Sequence, residues 1–221
     1  MFHWLEQRPF FFTVVLFIFV AFAGFVEALP DFAKASQPTV GTKPYTVLEL
    51  AGRHVYIKDS CNACHSQLIR PFKSETDRYG MYSLSGEYAY DRPFLWGSKR
   101  TGPDLMRIGN YRTTDWHENH MMDPASIVPG SLMPKYPHMF TNIADVETAY
   151  AEAYTVKAVF GTPYDQEGMP KLGTFEEASA NALAQAKTIA ADMKNQAVKD
   201  AVANGQIPEI VALIAYLNSL K

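Results

Sequence analysis

The sequence predicts an all-α protein: a single N-terminal transmembrane helix followed by a helical domain with loop and helical insertions. The first observation behind this prediction is a long apolar run near the N-terminus. The second is a series of later segments in which apolar residues recur every three to four positions, the period of an amphipathic helix. The length of 221 residues suits one medium domain with appendages, or at most two small domains. A net charge of −3 and the lack of a basic run argue against nucleic-acid binding.

The apolar run covers residues 9–26, which contain no charged side chain and are rich in Phe, Val, Leu and Ile. As a helix it would be about 27 Å long, close to the roughly 30 Å of a bilayer core. A cleaved signal peptide is the alternative, but it would have a basic start and a shorter apolar region. Here the flank carries both Glu6 and Arg8, and Trp4 suits the membrane interface. We therefore predict a retained transmembrane anchor in residues 1–29.

Residues 30–45 combine prolines with small polar residues and are predicted to be a linker. The domain would then cover residues 46–221. Its first helix is predicted to start at Thr46, because Glu49 three positions later completes a capping box. Gly52 on this helix would allow another helix to cross closely.

Directly after this helix come Cys61, Cys64 and His65 in the pattern CxxCH, which is typical of covalent haem c attachment. The spacing of the two thiols matches the two haem vinyl groups, and the histidine supplies a nitrogen ligand to the iron. These are the only cysteines in the chain, whereas a structural zinc site usually takes four ligands. A redox dithiol would not require the histidine. We therefore predict one haem c, covalently bound by Cys61 and Cys64, with His65 as an axial ligand.

A second short motif, Thr-Gly-Pro-Asp-Leu, contains Pro103. The carbonyl of Pro103 can accept the Nδ1–H of His65, which would orient the imidazole and raise its basicity. This interpretation depends on the CxxCH motif, since these five residues alone are a weak signal.

The sixth iron ligand has to be chosen among nine methionines. Met133 is favoured because prolines bracket its loop, and a residue before proline is restricted to an extended backbone. Such a rigid loop can present a thioether without depending on a mobile helix. Met106 and Met139 remain alternatives, and a typical buried methionine only fills a core.

The remaining sequence predicts two insertions and a closing helix. Residues 66–100 are a long, aromatic stretch in which basic residues outnumber acidic ones, and loops of this length are usually functional or bind a partner. Residues 141–205 contain two helical segments, of which 175–203 is alanine-rich and reads as a solvated helix or a helical hairpin. An amphipathic stripe after residue 206 predicts the closing helix.

A short helix over residues 113–122 carries His117 and His120, three positions apart. Such a pair can bind a metal, but no third ligand with a recognisable spacing accompanies it. We therefore expect these histidines on the surface or in a subunit contact.

Taken in order, these motifs resemble a class I cytochrome c domain, in which the first and last helices cross near the glycine at position 52. The likeness extends to the monohaem cytochrome c subunit (subunit II) of cbb3-type cytochrome c oxidases. This resemblance covers the whole chain and is most specific between residues 46 and 140. Four segments carry it: His-Ser-Gln-Leu-Ile-Arg-Pro-Phe (65–72), Glu-Thr-Asp-Arg-Tyr-Gly (75–80), Trp-Gly-Ser-Lys-Arg-Thr-Gly-Pro-Asp-Leu (96–105) and Asp-Trp-His (115–117).

The resemblance implies a role. In this family the subunit docks on the catalytic haem b/copper subunit, beside a dihaem cytochrome c subunit, and relays single electrons toward the site where oxygen is reduced. Carried over by position, Cys61 and Cys64 hold the haem, His65 and Met133 are the axial ligands, and Pro103 supports His65. With both axial positions filled, this chain would have no oxygen-reducing site of its own.

The resemblance also implies a location. Haem c is attached outside the cytoplasm, so the domain is expected on the periplasmic side of a bacterial inner membrane. The charge bias across the anchor, Arg8 against Lys34, is too small to decide the orientation.

Three other functions stay open at this point. A membrane-tethered carrier without a permanent partner would need only the compact haem domain. A haem enzyme or gas sensor would have a labile sixth ligand, and a structural assembly subunit would carry its haem incidentally.

Overall fold

The computed structural model describes residues 2–33 and 37–221. The predicted all-α class is confirmed, since the described residues form helices and turns, with one isolated bridge between Ile143 and Pro208 and no strand. The chain divides into two compact units, residues 1–37 and 38–221. The finer domain boundaries, at 29 and 45, stay predictions.

The N-terminal unit consists of helices α1 (Phe2–Glu6) and α2 (Pro9–Ala33). Within α2 the stretch Pro9–Pro30 is long and apolar enough to cross a membrane. The helix continues past the predicted start of the linker because Pro30 lies near its C-terminal end, where only a few backbone bonds remain to be disturbed. Part of the predicted linker, including Lys34, lies outside the described residues.

The larger unit is built from α-helices joined by irregular segments. In the described part of the chain they are α3 (Val47–Lys58), α4 (Lys73–Tyr79), α5 (Thr114–Met122), α6 (Pro124–Ile127), α7 (Val146–Phe160), α8 (Phe175–Ala191), α9 (Gln196–Ala203) and α10 (Glu209–Ser219). Short 3₁₀ turns occur at Cys61–Ala63, Ser85–Tyr88, Ile108–Asn110 and Pro137–Phe140.

Helix α3 begins with the predicted capping box. The Thr46 hydroxyl accepts the backbone N–H of Glu49 at 3.3 Å, and the Glu49 carboxylate accepts the N–H of Thr46 at 2.7 Å. Two of the free N–H groups at the helix start are thereby satisfied. At its other end, α3 leads through Ser60, in the left-handed region with φ 57°, into the turn that contains Cys61.

The core of the domain forms where α10 crosses α3. A Cβ atom added at Gly52 would overlap the carbonyl oxygen of Ala212 and lie 2.9 Å from the Cβ of Tyr216. The backbones therefore approach as closely as a glycine permits, which confirms the predicted role of Gly52. Most of α10 is buried against this contact and the surrounding apolar residues.

The insertion formed by α7, α8 and α9 packs on the same core. Helix α7 lies against α3, and α8 contacts both α3 and α10. The alanine-rich segment is a helical hairpin, as one of the two predicted alternatives had it, and it is solvated on only part of its surface. One face of α8 is buried through Ala178, Ala182, Ala186 and Ala190. Small side chains at this spacing let the helix lie close to its neighbours.

Candidate haem-binding site

Cys61, Cys64 and His65 lie in a tight turn at the end of α3. The backbone N–H groups of Cys64 and His65 both donate to the carbonyl of Cys61, at 3.2 and 3.0 Å. Both cysteines are free thiols; Cys61 is buried and Cys64 is exposed. Burial, with a smaller effect of the Asp59 carboxylate, raises the pKa of the Cys61 thiol to about 12. Before any attachment this thiol is therefore neutral.

The imidazole of His65 is fixed by the Gly-Pro pair. Its Nδ1 lies 2.8 Å from the carbonyl oxygen of Pro103. Because a carbonyl only accepts, Nδ1 carries the proton and Nε2 keeps its lone pair. Burial lowers the pKa of His65, while the hydrogen bond to Pro103 works in the opposite direction. The ring is thus prepared to donate through Nε2, which is what a metal ligand must do.

Gly102 is required by the position of this ring. A Cβ atom at residue 102 would lie 2.7 Å from Nδ1 and 2.8 Å from Nε2 of His65. The N–H of Gly102 donates to the carbonyl of Cys64 at 3.0 Å, which joins the two motifs through their backbones. Any larger side chain here would push the imidazole from its place.

Asp104, the residue after Pro103, is buried and holds the Gly-Pro segment in place through hydrogen bonds. Its fully buried carboxylate accepts three hydrogen bonds, from the Ser66 hydroxyl at 2.6 Å and the N–H groups of Leu68 and Met106 at 2.8 and 2.9 Å. It therefore ties the segment after His65 to the segment after Pro103. Sequence reasoning did not find this role, although the Gly-Pro-Asp order was visible.

A second buried carboxylate, Glu75, extends the network. It binds Arg100 through an ion pair of 2.7 Å and accepts the N–H of Arg70 at 2.8 Å, in addition to an ion pair with the Arg70 side chain. The hydrogen bond from Arg100 is the main reason that the pKa of Glu75 falls to about 2. These residues, with Gly102 and Pro103, line a cleft of about 360 Å³. Ion pairs and hydrogen bonds of Glu75 therefore help to hold the aromatic stretch 66–100 in place. This stretch also contains the short helix α4.

Met133 lies in the irregular segment between α6 and the turn Pro137–Phe140. It is half-buried, packs against the main core, and donates its N–H to the Ser131 hydroxyl at 3.2 Å. The loop is attached to α5, since Tyr136 donates its N–H to the carbonyl of Met121 at 2.9 Å. The role of Met133 as an axial ligand remains a prediction.

The two alternative methionines occupy different surroundings. Met139 is completely buried in the main core, and Met106 lies in a separate cluster with Ile69 and Tyr88. Both positions are those of packing residues. Met133 differs from both in being only half-buried.

His117 and His120 are buried, so the expectation of surface histidines was wrong. Helix α5 packs against α10, and this buries the face that carries both rings. Burial lowers the pKa of each to about 4, with smaller contributions from nearby positive charges. Trp116 stacks on His120 with ring centroids 4.4 Å apart. A periodicity argument misses this burial because α5 has no clear apolar face.

Three ring nitrogens of these histidines, Nδ1 and Nε2 of His117 and Nδ1 of His120, are buried without a hydrogen-bond partner in the protein. Buried polar groups normally have partners, so water or a bound group is expected beside these nitrogens. His65 is close enough to His120 to lower its pKa. A haem carboxylate could accept from the one N–H that each neutral imidazole carries, while the second nitrogen of His117 needs a donor such as water. The residues present therefore fit a haem.

Gln67 is a further residue that sequence reasoning missed. It is buried, and its side-chain oxygen accepts from the Tyr216 hydroxyl at 2.9 Å, while its backbone carbonyl accepts from the Tyr88 hydroxyl at 2.7 Å. The Tyr56 hydroxyl donates to the carbonyl of His65 at 3.3 Å. Tyrosines from three segments thus hold the backbone that follows the cysteines.

The family model for "Cytochrome C oxidase, mono-heme subunit/FixO" matches residues 2–221. A search among curated proteins finds no match. The matched family implies a haem c, membrane association and a catalytic oxidase subunit as partner. It agrees with the motif order and with the donor set around His65. The chain therefore belongs to the FixO family, the mono-haem cytochrome c subunits of cbb3-type cytochrome c oxidases.

Proposed function

We propose that this chain relays single electrons to the haem b/copper catalytic subunit, beside a dihaem cytochrome c subunit, in aerobic respiration. The observation that carries the proposal is the His65 imidazole, whose Nδ1–H is bound by Pro103 and whose Nε2 is left to donate. When bound, the haem supplies a one-electron iron couple. The chain's own residues have to attach it, fix its ligands and exclude water.

Each proposed ligand has a defined part. Cys61 and Cys64 would hold the haem covalently, each thiol adding its S–H across one vinyl double bond with no leaving group. His65 and Met133 would bind the iron, and Pro103 keeps the imidazole in the donating tautomer. Because neither axial position is left open, oxygen reduction belongs to the partner subunit.

The proposed placement is a single-pass anchor in a bacterial inner membrane with the domain on the periplasmic side. It rests on the length and apolar character of Pro9–Pro30 and on the attachment of haem c outside the cytoplasm. Labelling of an introduced exposed cysteine from the periplasmic side of intact cells tests the orientation. Labelling only after membrane disruption would contradict it.

The stretch 66–100 offers a surface for the partner. Phe94 and Trp96 are 45 % and 40 % exposed, and their rings stack with centroids 4.5 Å apart. Phe72 and Tyr82 in the same stretch are also exposed. Rigid aromatic side chains in this arrangement are typical anchors of protein interfaces. We propose that this surface contacts another oxidase subunit.

The first experiment is purification of the tagged chain from membranes in mild detergent, with haem typing of the proteins that co-elute. We expect b-type haem and copper to accompany haem c, and the fraction to reduce oxygen with a c-type donor. One c-type haem per chain without b-type haem would instead favour a free membrane-tethered carrier.

The sixth ligand is tested with Met133→Leu. We expect the reduced haem to bind carbon monoxide in this variant and not in the parent protein, because the variant lacks the proposed thioether. Met139→Leu and Met106→Leu are the matched controls and are expected to leave the haem closed to carbon monoxide. Carbon monoxide binding by the parent protein would favour a sensor or enzyme with a labile ligand.

The aromatic surface is tested with Phe94→Ser. We expect loss of co-eluting catalytic subunit while haem c stays bound, since the Phe94 ring stacks on Trp96 and does not reach into the core. Tyr154→Ser on the exposed side of α7 is the control. Equal co-elution for both variants would remove this surface from the interface.

A further inference from the structure

Asp59, His138 and Glu209, none of them a proposed haem ligand, bring three potential ligand atoms within 4.8 Å of one another. The residues come from separate parts of the chain. Asp59 caps the end of α3, His138 lies in the turn Pro137–Phe140, and Glu209 is the first residue of α10. The cluster therefore joins three segments that are distant in sequence.

The Glu209 carboxylate is incompletely satisfied. Its side chain is only 10 % exposed, and Oε1 forms an ion pair with Lys58. Oε2 is buried and has no hydrogen-bond partner in the protein. A buried carboxylate oxygen without a partner is costly, because its desolvation is not compensated by a hydrogen bond. Such an oxygen, in a cluster of other ligand atoms, points to a missing positively charged partner.

The charges of the cluster lead to the same conclusion. Asp59 and Glu209 carry two negative charges, and Lys58 supplies one positive charge. His138 Nε2 lies 3.1 Å from the Asp59 carboxylate. The Lys58 side chain is 47 % exposed, so it can turn outward into water. Without the ammonium group the site offers one nitrogen and two carboxylates for a doubly charged ion.

We propose that Asp59, His138 and Glu209 bind a divalent transition-metal cation of the zinc class, with Lys58 as the competing internal cation. An imidazole with carboxylates suits zinc, whereas calcium and magnesium prefer oxygen ligands alone. Water completes the coordination, because His138 is exposed. The ion links the end of α3, just before Cys61, to the start of α10.

If the site binds a metal, replacing Lys58 and replacing one of the three ligands should change the metal affinity in opposite directions. Replacement of a ligand removes a donor atom and weakens binding. Replacement of Lys58 removes a competitor from Glu209 and strengthens binding. A cluster that is only a set of salt bridges would lose stability in both cases and would bind no metal in either.

The test is equilibrium dialysis of the haem-loaded, full-length protein in detergent against Zn²⁺, with a tag that contains no histidine. We expect one bound Zn²⁺ per chain, at least tenfold weaker binding in His138→Gln and Asp59→Asn, and at least threefold tighter binding in Lys58→Gln. Thermal unfolding should shift upward with Zn²⁺ in the parent protein and much less in His138→Gln.

His54→Gln is the matched control, because His54 pairs with Glu152 at another position and should not affect Zn²⁺ binding. Equal Zn²⁺ affinity in the parent, His138→Gln and Asp59→Asn proteins would overturn the proposal, as would the absence of bound Zn²⁺. If a variant fails to fold, the Lys58→Gln result still decides, since only a metal site predicts tighter binding. Should the protein carry no haem, the same measurement on a Cys61→Ser, Cys64→Ser double variant stays valid and independent of the proposed function, because no thiol is then left to bind Zn²⁺.

Discussion

Helix α3, which leads into the CxxCH motif, and residues 66–107, which follow it, are held by different interactions. Helix α3 packs its apolar face against α10 and reaches van der Waals limits at Gly52. The following segment depends on the buried carboxylates of Glu75 and Asp104 and on the donors around them. The first region therefore responds to changes in shape, and the second responds to changes in charge.

The difference has a physical reason. Packing of apolar surfaces does not change with protonation, so α3 and α10 should tolerate a change of pH. A buried carboxylate is stable only with its donors, so the loss of one partner leaves an unsatisfied group. His65 is attached to both regions, through the chain on one side and through Pro103 on the other.

The largest effect is expected where shape alone decides. Gly52→Ala places a methyl group against the carbonyl oxygen of Ala212. The carbonyl of Ala212 belongs to the backbone and cannot rotate away as a side chain would, so α3 and α10 must separate. We expect a loss of about 3 kcal/mol in the free energy of unfolding. Denaturant unfolding of the haem-loaded protein measures it.

Gly24→Ala is the control, since nothing lies within 4 Å of its added Cβ. It should leave the unfolding of the domain unchanged. A neutral Gly52→Ala would mean that α3 and α10 are less closely packed than described.

The next effect concerns the charged region. Asp104→Asn replaces an acceptor by an amide that cannot accept all three hydrogen bonds, and we expect a loss of about 2–3 kcal/mol. Asp77→Asn, in an exposed pair with Lys73, should change stability by less than about 0.5 kcal/mol. Equal losses of stability in the two variants would show that the burial of Asp104 does not increase its contribution to the free energy of unfolding.

The comparison is sharpened by pH. The pKa of Glu75 lies below its ordinary value, so its contribution to stability is complete above about pH 4.5. It is lost as the pH falls toward 2, where the carboxylate becomes protonated. Glu75→Gln should therefore cost roughly 2 kcal/mol at neutral pH, and the difference from the parent should shrink in acid.

Thermal unfolding of both proteins between pH 2 and pH 7 measures this convergence. A difference that stays constant over the range would show that Glu75 acts through packing and not through its charge. Gly52→Ala serves as the reference, because its cost should not depend on pH.

The smallest effect is expected at the N-terminal cap of helix α3. Thr46→Ala removes the acceptor for the Glu49 N–H and should cost about 1 kcal/mol. Thr46→Ser keeps the hydroxyl and should cost much less. A loss above about 2 kcal/mol would indicate that the hydrogen bond from Thr46 to Gln185 of α8 contributes more than the cap itself.

The same division explains what could be predicted from the sequence. Helix α3 and its capping box follow from local patterns, whereas the crossing partner of Gly52 came from the resemblance to a class I cytochrome c domain. The charged region could not be predicted, because the partners of Glu75 are set by how distant segments meet. Arg100, 25 positions away, carries no signal that identifies it as that partner.

The candidate site was predictable to a similar extent. The CxxCH motif is local, and Pro103 could be interpreted once that motif was known. The burial of His117 and His120 depends on the packing of α5 against α10. The sequence of α5 itself contains no pattern that predicts this packing. The cluster of Asp59, His138 and Glu209 depends on the folded arrangement alone, since its members lie up to about 150 positions apart.

The crossing at Gly52 also has a consequence for the order of events during synthesis. Its two partners are about 160 residues apart, so closing that loop costs roughly 4–5 kcal/mol of chain entropy. The core can therefore close only after α10 has been synthesised. Until α10 is in place, Cys61 lacks the closed core that buries it in the folded domain, whereas Cys64 is exposed in either state.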